Sequence, residues 1–367
     1  MVSGGTPSTH ISEFWDGDIP WVTPTDLGKQ REPTLIRTAR RISLAGLESS
    51  SAEIVPIGTI LMSSRAPIGH LAVAGVACCT NQGCKNLIPG EQVDSQFLYF
   101  ALKKAVPELK TLGSGATFAE VSKSIVESYR IPLPPLPEQK RIAAILTEQM
   151  AAVDQARAAA EEQLKVARTL LSAYLNSLFN SSEAKKWPKK QFGEMVDNFD
   201  GMRIPIKLDV RTKKKGPYPY YGASGIIDYI DEYIFDGNFL LIGEDGANLI
   251  YRSSPIAFRA SGKFWVNNHA HVVQPKGDIP LDYLLYFFSI TDLKPFVTGA
   301  AQPKLTQKDM NSIPVPFPPI AEQQHIVRMA NNQMGILNKA QEKLQDQIDA
   351  IGKLPVSLLR RAFNGEM

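Results

Sequence analysis

From Leu146 onward, seam positions recur at alternating spacings of four and three: Leu146, Met150, Val153, Arg157, Ala160, Leu164, Ala167, Leu171, Tyr174 and Leu178. The same rhythm returns at Ala330, Met334, Leu337, Gln341, Leu344, Ile348, Ile351, Pro355, Leu358 and Ala362. Such spacing lays one stripe along a helix, and about four heptads of it predict a coiled-coil seam. At about 1.5 Å per residue each helix would span roughly 60 Å, more than one compact domain needs. Each run follows an alternation of apolar residues and proline, Ile131-Pro132-Leu133-Pro134-Pro135 and Val315-Pro316-Phe317-Pro318-Pro319. Proline pushes its predecessor into the extended region and has no amide to donate, so these stretches are not helical. Pro137 suits the first helical position, and Glu138 and Glu322 place carboxylates at the positive end of the helix dipole.

Ile142, Gln149, Met150, Leu175 and Phe179 recur 184 positions later as Ile326, Gln333, Met334, Leu359 and Phe363, which makes this an internal repeat without a gap. Small residues of one seam match large ones of the other, as Leu146 with Ala330, Ala160 with Leu344 and Ala167 with Ile351, so the helices are expected to pack on each other. Polar Arg157 and Gln341 would help fix register at some cost in stability. Gly352 and Pro355 predict a kink or break. The competing reading is two unrelated amphipathic helices, each lying on its own domain.

Ahead of each long helix lies a globular segment. Strand-like runs at Asp18–Val22, Ile54–Met62 and Leu71–Ala74 precede helical stretches near Gln96–Leu109 and Ala119–Val126, the order of an α+β domain. Polar residues from Asn180 to Lys190 mark a boundary, and a second segment repeats the first in outline. Gly58-Thr59-Ile60-Leu61-Met62 is answered by Gly237-Asn238-Phe239-Leu240-Leu241, and Thr80-Asn81-Gln82 by Val266-Asn267-Asn268. The boundaries read as 1–130, 131–182, 183–314 and 315–367, a globular segment and a long helix twice over.

Composition narrows the class. In 367 residues, 44% hydrophobic and 21% charged is ordinary for a soluble globular chain, and a net charge of +3 says nothing about partners. No apolar run nears the roughly 18 residues that span a bilayer, which predicts no membrane association and a cytoplasmic protein. Cys78, Cys79 and Cys84 lack spaced partners for a disulfide framework or a zinc site and read as buried apolar residues.

Local clusters carry the chemistry. Arg203, Lys207, Arg211, Lys213, Lys214 and Lys215 precede Tyr218, Tyr220 and Tyr221, a basic run followed by aromatics of the kind used for phosphate contact and base stacking. In the first segment Gly5, Thr6, Ser8, Ser64, Arg65, Asn81, Gln82, Lys85 and Ser114 offer amides, hydroxyls, carboxamides and cations that grip phosphates or read base edges. Ser224, Asp245, Asn267, Asn268, His269, Gln302 and Lys304 are the corresponding candidates in the second. No phosphate-cradling glycine loop or dinucleotide fingerprint is present. His269 and His271 alternate as on a strand without a third metal ligand nearby, and Gly243-Glu244-Asp245-Gly246 reads as a turn with acidic tips rather than a metal site.

These residues resemble the DNA specificity subunits of Type I restriction-modification systems over nearly the whole chain. The resemblance rests on Gly4-Gly5-Thr6-Pro7-Ser8 with Trp15-Asp16-Gly17-Asp18-Ile19-Pro20-Trp21-Val22, and on two Pro-Pro-x-x-Glu-Gln helix starts. Tyr220-Tyr221-Gly222-Ala223-Ser224-Gly225 with Leu241-Ile242-Gly243-Glu244-Asp245-Gly246 completes it. It implies an α+β fold of two target-recognition domains separated by two long antiparallel coiled-coil helices, a pseudo-twofold internal repeat in which the helices set the distance between two half-sites. It implies a non-catalytic subunit without cofactor or metal that binds double-stranded DNA and two methylation subunits, with restriction subunits where a system has them. Two other readings stand beside it: an adaptor whose domains bind protein, and an enzyme with a site around Glu244, Asp245, His269 and His271.

One departure concerns the first domain. Trp187 to Val196 leads into the second, whereas Met1-Val2 opens the first with no such lead, which suggests that the usual beginning is lacking. Phe363-Asn364-Gly365-Glu366-Met367 resembles Phe192-Gly193-Glu194-Met195. The C-terminal segment is therefore expected to pack against the first domain, with the termini close neighbours.

Overall fold

In the computed structural model, which describes residues 1–30, 32–65, 67–113, 119–299 and 302–367, short strands and turns fill the first part of the chain. They are β1 (Val2–Ser3), β2 (Trp15–Val22), α1 (Pro24–Lys29), β3 (Thr34–Leu35), β4 (Arg40–Ile42) and α2 (Leu44–Glu48). Then come β5 (Ile60–Ser63), β6 (Leu71–Ala74), β7 (Cys79–Thr80), β8 (Cys84–Leu87), α3 (Ser95–Leu112) and α4 (Lys123–Ser128), followed by the long α5 (Leu136–Phe179). The second half runs β9 (Lys189–Gln191), α6 (Phe192–Met195), β10 (Val196–Asn198), α7 (Leu208–Arg211), β11 (Tyr218–Gly222) and β12 (Gly225–Ile230). It continues with β13 (Phe235–Gly243), α8 (Asn248–Tyr251), β14 (Ala257–Val266), β15 (Ala270–Pro275), α9 (Leu281–Ile290), α10 (Gln307–Asn311), β16 (Pro314–Pro316) and α11 (Ile320–Phe363).

Two compact units result, one formed by residues 1–160 with 347–367 and the other by 161–346, so each long helix contributes one stretch to each unit. The first unit holds a five-stranded sheet in the order β1-β8-β5-β6-β3 and a three-stranded sheet β4-β2-β7. The strand expected over 54–62 starts only at Ile60, because Pro56 has no amide and Gly58 sits at φ +87°. The helix expected over 119–126 begins at Lys123, since the Val121 amide is already given to the Ser64 carbonyl (2.9 Å) and Ser122 caps the helix through Ile125 N (3.3 Å). α3 buries Phe97, Leu98 and Phe100 against Ile60 and Val73, in a cluster that also takes in Ile142, Leu146 and Met150 of α5 and Leu359 and Ala362 of α11.

The C-terminal segment belongs to this unit: Phe363 lies 5.3 Å from the Phe97 ring, and Arg141 Nη2 donates to the Met367 carbonyl (2.7 Å). The second unit has a six-stranded sheet, β10-β15-β13-β14-β11-β12, and a β16-β9 pair. Phe179 at the end of α5 packs on Tyr283 and Phe287 of α9, at 5.3 and 6.0 Å between ring centroids.

Within each unit the two helix stretches run antiparallel. In the first, Leu146 and Met150 share a core with Leu359 and Ala362, while Val153 and Ala160 share one with Ile351 and Ile348. In the second, Leu175 and Phe179 share a core with Ala330 and Ile326, and Gln341 Nε2 donates to the Ala167 carbonyl (3.1 Å). Residues 184 apart are thus equivalents rather than partners: Leu146 clusters with Leu359, whose own equivalent Leu175 clusters with Ala330. Small-against-large packing recurs through that pairing, with Ala160 beside Ile348 and Ile351. α11 continues through Gly352 and Pro355, so the expected break does not occur. α5 starts at Leu136, which puts Pro137 at the second helical position, where its missing amide is equally harmless.

The repeated Gln of the two helix starts is structural. Gln139 Nε2 donates to the carbonyls of Pro134 (2.8 Å) and Gln92 (2.9 Å), and Gln323 Nε2 donates to the Pro318 carbonyl (2.9 Å). Both side chains are buried, where the bonds tie the proline turn to the helix behind it.

Candidate nucleic-acid interface

In the first unit the end of β5, the β7–β8 turn and the segment before α4 converge. Ser64 is buried; its amide donates to the Gly83 carbonyl (2.8 Å), and its hydroxyl reaches the Gly83 carbonyl and Glu120 Oε1 (both 3.2 Å). Arg65 forms a bridge with Glu120 and ion-pairs with it at 3.6 Å, and Lys85, largely buried, reaches the other carboxylate oxygen at 3.6 Å. Asn81 Oδ1 accepts the Gly83 amide (2.9 Å), closing the turn, and Thr6 donates its hydroxyl to Gln82 at the surface. Arg65 is left half-exposed at the tip.

The second unit builds the same place with other side chains. Glu244 donates its amide to the His269 carbonyl (2.9 Å), as Ser64 does to Gly83. Asn267 Oδ1 accepts the His269 amide (2.8 Å), as Asn81 does from Gly83. Leu305 N donates to the Glu244 carbonyl (2.8 Å) as Val121 N does to Ser64, and Asp245 bridges Lys304 where Arg65 bridges Glu120. The ladders agree: Ser63 opposes Cys84 and Gly243 opposes Ala270. This register makes Ile60 the counterpart of Leu240, one residue away from the match expected between Gly58-Thr59-Ile60 and Gly237-Asn238-Phe239.

Around the second frame sits a charged network. Arg203 Nη1 donates to Glu244 Oε2 (2.5 Å) and to the Ala270 carbonyl (2.8 Å), with Asp200 Oδ2 at 3.6 Å. Buried His271 faces Asp200 Oδ2 through Nδ1 (2.6 Å) and the Leu305 carbonyl through Nε2 (2.8 Å), so both ring nitrogens meet oxygen acceptors. Lys304 Nζ pairs with Glu244 Oε1 (3.1 Å). Burial opposes ionisation of Asp200, yet the bond and charge of His271, the Val272 amide and Arg203 hold its carboxyl below the usual range. Glu244 is held low in the same way, with burial outweighed by Arg203, His271 and Lys304. Asp200, Glu244 and His271 offer ligand atoms within 4.8 Å of one another, as a divalent cation would require, but the Arg203 guanidinium and the Lys304 ammonium already compensate the carboxylates.

Several expected contact residues are spent inside the fold. The Gly5 amide donates to the Thr80 carbonyl (2.9 Å) and its carbonyl accepts from Trp21 Nε1 (2.9 Å), with no room for a side chain. Tyr220 is 1% exposed, its hydroxyl accepting the Ile206 amide (2.9 Å), and Tyr221 is 9% exposed among Phe258 and Phe264; neither ring is presented for base stacking. Lys214 pairs with Glu232 (2.8 Å) and Lys215 with Asp228, so β12 and the turn after it neutralise much of the basic run, while Lys213 stays exposed. Arg203 and Asn267 serve the frame rather than the surface. Ser8, Asn268, His269, Gln302, Lys304 and Ser224 reach the surface, wholly or in part. Ser114 lies outside the described residues. The thiols of Cys78, Cys79 and Cys84 are free and buried, and burial pushes them up to about 11, 12 and 12.

Glu120 lies far along the chain from Arg65 and Lys85, and Asp200 far from His271, so neither pairing shows in the sequence; only the Asp200–Arg203 spacing of three is local. Arg37, Arg40 and Arg41 do carry one, as an exposed basic run in which the Arg40 guanidinium lies 3.5 Å over the Trp15 ring. Trp15 in turn donates Nε1 to the Ser8 carbonyl (3.0 Å), joining that run to the Gly-Gly-Thr-Pro-Ser stretch.

A family model described as Type I restriction modification DNA specificity domain matches residues 2–165 and again 184–348. The chain is 28% identical over 402 residues to the Type I restriction enzyme MjaIX specificity subunit of Methanocaldococcus jannaschii, with 100% of this chain and 91% of that protein covered. It is 25% identical to the EcoprrI specificity subunit of Escherichia coli, with 99% and 90% covered. A solved chain from work on complex assembly and conformational transition of the type I R-M system aligns with a TM-score of 0.80 at 17% identity, covering 100% of this chain and 96% of that one. The HsdS subunit from Thermoanaerobacter tengcongensis gives 0.61 at 18%, covering 100% and 92%. At those identities the structural likeness is one of fold, whereas the doubled family match spans most of the sequence: the chain belongs to the Type I restriction modification DNA specificity family.

Proposed function

We propose that this chain is the non-catalytic DNA-recognition subunit of a Type I restriction-modification complex, reading a bipartite target and bringing methylation and restriction subunits to it. One observation carries the assignment of the reading surface. The same hydrogen-bonded frame is built twice, and each copy ends in exposed polar tips on loops, where the scaffold is constant and the side chains differ. The enzyme reading is disfavoured because Glu244 and His271 are consumed by Arg203, Asp200 and the Leu305 carbonyl. Among the described residues no helix is long and apolar enough to cross a membrane. We place the protein in the cytoplasm, with its DNA.

Gel shifts of the chain with its methylation subunits, across a salt series, test the role. Affinity should fall steeply with salt, and one bipartite sequence should outcompete random DNA. Salt-insensitive, sequence-blind retention of DNA would favour the adaptor. Replacing Lys213, Lys214 and Lys215 together by Ala should weaken binding to all sequences and lower the salt slope by about 0.9 for each phosphate no longer neutralised. Lys213 should dominate, since Lys214 and Lys215 are already paired.

The two 44-residue helices are proposed as the spacer between half-sites. Adding one heptad to both, about 10 Å of helix, should lengthen the accepted DNA spacer by about three base pairs and leave both half-site sequences unchanged. Altered half-site bases would show that the helices take part in readout.

A further inference from the structure

We propose that Arg65 and Asp245 are the equivalent base-reading positions of the two domains. Their opposite chemistry would make the two half-sites differ there, with a guanine edge under Arg65 and an exocyclic amino group under Asp245. The inference rests on the DNA-recognition role above and adds which residue reads which kind of base. The shared frame fixes the equivalence: Arg65 follows Ser64 and bridges Glu120, and Asp245 follows Glu244 and bridges Lys304.

Across that frame the charges are inverted. Arg65 carries only donors, and its partner Glu120 lies at 3.6 Å, longer than a hydrogen bond. A guanidinium so placed suits the O6 and N7 acceptors of guanine. Asp245 Oδ2 is bonded to His269 Nδ1 at 2.7 Å. A carboxylate only accepts, so Nδ1 is the donor, and the second oxygen of Asp245 remains an acceptor. His269 is 47% and Asp245 17% exposed by side chain, so the Asp245 carboxylate offers acceptors where the Arg65 guanidinium offers donors. The amino group of cytosine or adenine in the major groove matches such an acceptor.

The test uses the full chain with its methylation subunits, after its recognition sequence has been mapped from the positions methylated in cells. Duplexes then carry single-atom changes in each half-site: 7-deazaguanine for guanine, purine without its 6-amino group for adenine, and 2-pyrimidinone for cytosine. One guanine in one half-site should lose on the order of tenfold in affinity when its N7 is removed, and Arg65→Ala should abolish that sensitivity. One amino group in the other half-site should behave likewise toward Asp245→Ala, and whether the cytosine or the adenine analogue responds identifies the base. Asp245→Asn, with melting temperatures alongside, guards against misfolding: it should weaken discrimination at that same position while the fold is kept. Base and residue losses that simply add, or both variants acting on one half-site, would overturn the assignment while sequence recognition stands. A wild-type complex with no sequence preference would instead overturn the recognition role itself.

Discussion

Asp200→Ala is expected to destabilise the second unit by about 3–5 kcal/mol, the scale seen when one partner of a buried ion pair is removed. The Asp200 side chain is 8% exposed, and its oxygens take the Val272 amide (2.8 Å) and His271 Nδ1 (2.6 Å) with Arg203 at 3.6 Å. Deletion would leave a buried amide unpaired and an Arg-His pair short of one carboxylate, and neither the Val272 amide nor buried His271 can turn to water without opening β15. For a unit of this size the loss should lower the melting midpoint by roughly 10 °C. Asp200→Asn, which keeps an acceptor for the Val272 amide, should cost visibly less. A loss under about 1 kcal/mol for the alanine variant would mean that the network contributes little to stability.

The same carboxylates set the acid limit. Asp200 and Glu244 are both held below their ordinary ranges, so below about pH 4.5 the unfolded chain binds protons that the folded one refuses. Their contribution is complete above the ordinary carboxylate range and is lost as pH falls through the lower folded values. Unfolding of the second unit followed from about pH 6 to about pH 2 should show that slope, and Asp200→Ala should flatten it.

How much of this is legible in the sequence depends on the range of the interaction. The seam, the repeat and the helix starts depend on local spacing and largely read out, apart from Pro137 standing at the second helical position, the partners across the seam, and the break expected at Pro355. A proline costs one helical bond, and the packing of Ile351, Leu358 and Leu359 on either side keeps the helix whole. The site depends on contacts between distant segments. The Asn81 and Asn267 turns are visible as a short match, but Glu120 reaches Arg65 only after the chain has passed through three strands and a helix, and Lys85 of β8 only after that helix. Tyr220 and Tyr221 read as stacking residues yet lie in the core, because a strand adjoining a basic loop has the same composition whether its rings face DNA or the interior. The partners of Lys214 and Lys215, Glu232 and Asp228, come from the hairpin strand that follows and its end, and only strand pairing puts them opposite.

Leu146→Ala and Leu175→Ala should each cost about 2–5 kcal/mol, and each should act on its own unit. Leu146 is fully buried in the cluster that joins α3 to Leu359 and Ala362, and Leu175 is 1% exposed in the cluster that joins Phe179 and α9 to Ile326 and Ala330. The two clusters share no residue, so the double variant should lose the sum of the single losses within about half a kcal/mol. Hydrogen exchange gives the spatial readout. Leu146→Ala should deprotect Ser95–Leu112 and leave Leu281–Ile290 protected, and Leu175→Ala should do the reverse. Each helix is nonetheless one continuous hydrogen-bonded element with a stretch in each unit. If either variant deprotects both α3 and α9, the helices transmit unfolding along their length and the chain melts as one cooperative body rather than as two.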